Sequence, residues 1–246
     1  MNGLLKNMGI TTTLFYITGA TLLTIVAVFM FGSYLRSQKR ATFYLALCFL
    51  FLGIHAYAFA LPVIIDRNNM SLLAYGYMVG ISFIFLTMIA GFGVLRFVAP
   101  AFFTGPIASL IKAMVWFVWL TTLALLIFDF RTPILEPGGI ILWNANRVAG
   151  WLIGLSGFFY GIMWSVIFFN ARKLVQNFYS RFKLMVIGAD GLLMGTIALL
   201  VHTSQTPFQT ILGHILFVVA GVITIAIYII PGNFFERGGD NQPRSR

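Results

Sequence analysis

Long apolar runs separated by short polar breaks dominate the chain. Seven runs, at about residues 13–35, 42–65, 71–95, 107–128, 148–169, 184–201 and 208–230, are each apolar almost throughout. A helix needs about 20 apolar residues to cross about 30 Å of hydrocarbon. Inside a bilayer a helix satisfies its own backbone polar groups. The pattern therefore predicts an all-α, seven-helix integral membrane bundle. The longest connection, 129–147, and the short tail, 231–246, are too small to bury a core of their own. One transmembrane domain over residues 1–246 is expected. The opening stretch, MNGLLKNMGI, lacks a strongly basic region, so the first run reads as a span and not as a signal peptide.

The breaks predict their own conformations. RSQKR reads as a tight turn between the first two helices. ARKLVQNFYSRFK alternates basic and apolar residues, and is expected to prolong the fifth helix and then lie in the interface. In ILEPGGIILW, apolar and β-favouring residues flank Pro-Gly-Gly, which predicts a short hairpin resting on the headgroups, with a lid over a cavity as the alternative. Pro62, Pro100, Pro106, Pro133, Pro137, Pro207 and Pro231 are all assigned to helix ends or loops. Transporters with inverted repeats use broken helices near the midplane. The proline pattern, and the lack of a sequence match between the first three and last three runs, argue against that class.

Composition removes the other fold classes. Sixty per cent of residues are apolar, 9% are charged and the mean hydropathy is +0.94, whereas soluble domains carry about 25% charged residues. The single cysteine, Cys48, excludes a disulfide framework. Charge then predicts orientation. Arg36, Lys39, Arg40, Arg96, Lys112, Arg172, Lys173, Arg181, Lys183, Arg237, Arg244 and Arg246 fall on one side; Lys6, Arg67, Arg131 and Arg147 fall on the other. The excess belongs on the cytoplasmic face, so the N-terminus is expected outside and the C-terminus cytoplasmic, in the plasma membrane. The basic face would attract anionic lipid headgroups, and its loops offer a place for a protein partner. The cations are too dispersed for nucleic acid.

Small residues form the clearest internal pattern. Gly150, Gly154, Gly157 and Gly161 share one face of the fifth run, and Gly188, Gly191 and Gly195 one face of the sixth, extended by His202. Such stripes let helix backbones approach closely in lipid. They predict tight packing of these helices on each other or a neighbour, with a homodimer through the fifth as the alternative. Leu152 and Ile153 are placed on the opposite, lipid-facing side.

The fifth stripe contains GLSGFFY, with Ser156 and then Tyr160, and the seventh run carries His214 in ILGHILFVVAG. This resembles the rhomboid family of intramembrane serine proteases, whose signature is Gly-x-Ser-Gly with a following tyrosine and a histidine two helices on. The resemblance implies Ser156 as nucleophile and His214 as its base. The depths agree: about 12 Å and about 9 Å below the same face at 1.5 Å per residue. The family also stabilises its oxyanion with histidine and asparagine from an earlier helix, and SLLAYGYMVGISF offers neither.

Three histidines, His55, His202 and His214, lie in the middle or outer half of their runs. Three can hold zinc and two, such as His55 with His214, can hold haem. No carboxylate shares their depth and no His-x-x-x-His pair exists, so neither metal nor cofactor is expected, and each should hydrogen-bond a neighbouring helix. Asp190 is the one acid deep in a run. A charge there is either paired, with Lys183, Arg181 or Lys112 reaching inward, or a sensing group. Microbial rhodopsins share the helix count, but need a lysine in the last helix, which has none. The architecture is similar to the heptahelical regions that begin some bacterial signalling proteins. The favoured expectation is a non-enzymatic receptor-like or sensor-like module, or a subunit of a membrane complex, acting through a separate partner. The Ser156/His214 hydrolase is the alternative.

Overall fold

The computed structural model describes residues 10–131, 133–136, 139–143 and 146–229. The tail 231–246, Lys6 and Pro137 lie outside the described residues. Seven helices are long and apolar enough to span a membrane: α1 (Ile10–Ser37), α2 (Arg40–Asp66), α3 (Met70–Val98), α4 (Gly105–Phe128), α5 (Arg147–Ala171), α6 (Phe178–Thr203) and α7 (Pro207–Ile229). The fold is that of a multi-pass membrane protein.

Two helix ends differ from expectation. The segment after α5 prolongs it by one turn only, to Leu174. One 3-10 turn, Arg172–Leu174, closes α5, and Asn177 opens α6 by accepting the Ser180 N–H at 3.0 Å. Residues 178–183 thus belong to α6, because a side-chain cap satisfies the first orphan N–H groups. Pro62 is not at a helix end but inside α2. It sits against Gly76 of α3, where any side chain would strike its ring.

Sequential packing of α1, α2 and α3 is continued by α5, α6 and α7, and the ring closes through α1 on α7 and α3 on α5. α4 stands outside, over the α3–α5 seam, burying only Ala108, Thr122 and Leu126. α3 is the most enclosed helix, with 61% of its apolar stretch buried against 11% for α4. Glycine makes that enclosure feasible: Gly80 lies against Phe59 and Gly91 against the Tyr160 hydroxyl.

The hairpin forms as its sequence predicts. β1 (Ile134–Glu136) pairs antiparallel with β2 (Ile140–Leu142), in the register Ile134↔Leu142 and Glu136↔Ile140. Gly139 turns the chain at φ +79°, a conformation that costs glycine no side-chain clash. The hairpin is packed on the helices through its second strand. All three residues of β2 are buried against α1 and α7. The N–H of Thr12 donates to the Gly139 carbonyl at 3.0 Å, and the Ile141 N–H donates to the Thr12 hydroxyl at 3.0 Å. Apolar burial and these two bonds draw the hairpin down as a cap on the end of the bundle where α1 begins. Beside it, Asn146 caps α5 and donates to Asp129 at 2.7 Å, joining the two ends of the connection.

Candidate functional site

Two cavities lie end to end inside the ring. The larger, of about 120 Å³, is walled by α2, α3, α5, α6 and α7, including Cys48, Thr87, Tyr160, Trp164, Asp190 and Tyr228. The smaller, of about 70 Å³, lies towards the hairpin and is lined by Tyr16, His55, His202, His214 and Phe217. Leu52, Ile84, Met194 and Ala198 border both.

Asp190 carries the unsatisfied chemistry of the larger cavity. Its Oδ2 accepts a hydrogen bond from the Thr224 hydroxyl of α7 at 2.9 Å. Its Oδ1 is buried without a hydrogen-bond partner. The Thr224 hydroxyl also lies 2.8 Å from the Ala220 carbonyl, so its one hydrogen serves two acceptors. The ion pair considered for Asp190 is not formed among the described residues. The Lys183 ammonium lies over the Tyr228 ring at 5.4 Å, Arg181 donates to the Val175 carbonyl, and Lys112 lines a separate groove. Of the other polar groups of the wall, Thr87 donates to Phe83 at 2.9 Å, the Cys48 thiol contacts the Thr87 carbonyl at 3.7 Å, and the Tyr160 hydroxyl, like Asp190 Oδ1, is buried without a hydrogen-bond partner.

The three histidines meet, although they come from three helices. His55 and His202 have ring centroids 6.3 Å apart. His55 Nδ1 lies 3.1 Å from the Gly80 carbonyl, which can only accept, so the ring donates there. His202 Nδ1 lies 3.5 Å from the Tyr77 hydroxyl. His214 donates through Nδ1 to the Thr210 carbonyl one turn back, leaving Nε2 buried without a partner. Tyr16 packs edge-on to His214 at 4.6 Å, and Trp143 stacks on Tyr77 at 5.1 Å. Among the described residues no three His, Cys, Asp or Glu side chains are arranged to hold a metal ion.

Tyr16, Tyr77 and Trp143 are the functional candidates that sequence reasoning missed. An aromatic residue in an apolar run carries no positional signal. Helix packing brings Tyr16 to His214 and Tyr77 to His202, and the chain after the hairpin lays Trp143 on Tyr77.

Ser156 is half-buried, makes no hydrogen bond among the described residues and lines neither cavity. His214 faces α1, and its free Nε2 is not bonded to Ser156. Tyr160 ends in the notch at Gly91. The residues of the rhomboid-like pattern are present but not brought together as a nucleophile and base.

The glycines of α5 and α6 face one another. A Cβ added to Gly161 would stand 2.9 Å from the Cα of Gly195, and one on Gly195 would stand 2.9 Å from the Gly157 carbonyl oxygen. Gly150 lies under the His202 carbonyl, Gly154 under Leu199 and Thr203, Gly188 by Ser165, and Gly191 under Trp164. The face that a dimer through α5 would use is therefore covered by α6 of the same chain. Ile153 is fully buried, not lipid-facing; the outward side of α5 is carried by Leu155, Phe159 and Val166.

No family model, curated protein or solved structure matches this chain.

Proposed function

We propose that the chain is a non-enzymatic sensor module whose central cavity takes a small, mostly apolar molecule. The observation that carries this reading is the cavity of about 120 Å³ between the helices, with the unpartnered Oδ1 of Asp190 in its wall. Small-molecule sites are apolar hollows with a few convergent polar groups. A dry cavity of about 150 Å³ holds a benzene-sized guest, which sets the scale: one ring, with one donor for Asp190. Occupancy would bear on α2, α3, α5, α6 and α7 together, so a guest is well placed to shift their packing. The basic loops at the other end would carry the output to a separate partner, the glycine faces would hold α5 to α6 as a rigid pair, and the charge asymmetry favours that end in the cytoplasm of a plasma membrane.

Labelling with a photoreactive diazirine analogue of benzyl alcohol, mapped by mass spectrometry, tests the site. Adducts on Trp164, Met194 or Tyr228 are expected, suppressed by excess benzyl alcohol. Adducts confined to outward residues such as Phe117 and Phe159 would end the reading. A fluorophosphonate probe should leave the protein unlabelled; labelling lost in Ser156→Ala would favour the hydrolase instead.

A further inference from the structure

Three cations meet at the end of the molecule opposite the hairpin. Arg40 opens α2, Arg96 stands in the last turn of α3 and Lys112 lies two turns into α4. All three line one groove of about 340 Å³ between these helices. The groove exists because α4 stands outside the ring and begins only after the single helical turn Pro100–Phe103 has carried the chain away from α3. Its floor is aromatic: Tyr44, Phe92 and Phe103 are buried or half-buried beneath the exposed cations, and Phe97 lies outward beside them.

No described carboxylate neutralises this cluster. Among the described residues none of the three cations has a salt-bridge partner, and the described carboxylates, Asp66, Asp129, Glu136 and Asp190, are absent from the groove. Like charges sharing a site repel unless an anion joins them. Two guanidinium forks and an ammonium suit a phosphate, since arginine binds it in a bidentate way and lysine as a point charge. The aromatic floor, continuous with the apolar flanks of α3 and α4, suits an acyl chain rather than water.

We propose that this groove is a specific site for one anionic phospholipid, its phosphate held by Arg40, Arg96 and Lys112 and a chain lying against Phe97 and Phe103. The site is independent of the central cavity. It differs from a diffuse attraction of the basic face for anionic headgroups, because these three residues act together at one seam.

Native mass spectrometry of the detergent-solubilised protein, titrated with phosphatidylglycerol, phosphatidylcholine or glycerol phosphate, tests it. One retained phosphatidylglycerol is expected, with phosphatidylcholine and glycerol phosphate both far weaker. Arg96→Gln/Lys112→Gln should weaken retention about thirtyfold, taking about fivefold for each cation near the phosphate. Arg172→Gln/Lys173→Gln, which removes the same charge elsewhere at that end, should weaken it by less than about threefold. Equal losses in the two double variants would show diffuse attraction and overturn the site. Equal binding of phosphatidylcholine would overturn the charge recognition, and equal binding of glycerol phosphate would make it a free-phosphate site. If a melting curve shows the first double variant misfolded, the exposed single changes Lys112→Gln and Lys173→Gln decide, with about fivefold loss expected only for the former.

Discussion

Among the described residues Thr224 is the one side chain that hydrogen-bonds Asp190, so a small change there reads out the acid's environment. Thr224→Val keeps the shape and removes the hydroxyl, leaving both carboxyl oxygens unpartnered. Abandoning a buried polar group costs about 1–3 kcal/mol. The variant should melt below the wild type in detergent, and Asp190→Leu combined with Thr224→Val should recover part of the loss, because replacing both partners by apolar groups can be nearly neutral. A Thr224→Val curve that overlies the wild type would mean the bond does not exist. Asp190 itself was legible in the sequence, as a lone acid in an apolar run. Its partner was not, because Thr224 is one of several threonines in the spans and only the α6–α7 contact selects it. The histidines behave similarly: His55, His202 and His214 are conspicuous in the sequence, yet their convergence depends on ring closure through α1 and α7.

The glycines between α5 and α6 leave no room for a side chain. Gly161→Leu would drive a side chain into the backbone of Gly191 and Gly195. Overpacking typically costs about 1–3 kcal/mol, so the melting temperature should fall while the size-exclusion profile stays that of the wild type. Phe159→Leu, on the outward side of α5, is the control and should change little. If the two variants behave alike, the α5–α6 face is wrongly placed. The hairpin offers a second test at this scale. Thr12→Val removes the acceptor of the Ile141 N–H, and amide exchange at Ile141 should accelerate while exchange in α3 stays slow. Unchanged exchange at Ile141 would show that α1 does not hold the cap. The seven spans were legible because hydrocarbon thickness sets helix length. The hairpin was legible from its turn residues. Its docking was not, since that depends on Thr12, far away in sequence, and on the apolar side chains of β2. Residues 178–183 were misread because Arg181 and Lys183 resemble a loop, whereas Asn177 caps a helix that carries them.

At the scale of the whole molecule, six helices surround a column of two neighbouring cavities, the hairpin caps one end of the bundle, and most of the described lysines and arginines gather at the other. If that basic end is cytoplasmic, a cytoplasmic reporter fused after Arg246 should be active and a periplasmic one silent; the reverse pattern would invert the orientation. The central claim is that the column takes a guest. The most direct measurement compares melting curves, with and without benzyl alcohol, of the wild type and of Leu52→Phe, which fills space at the junction of the two cavities. A guest at 100 times its dissociation constant stabilises by about 2.7 kcal/mol. The wild type should melt higher with benzyl alcohol present, and Leu52→Phe should show no such rise. Equal shifts in the two proteins, or a fall in both, would contradict a binding site inside the bundle.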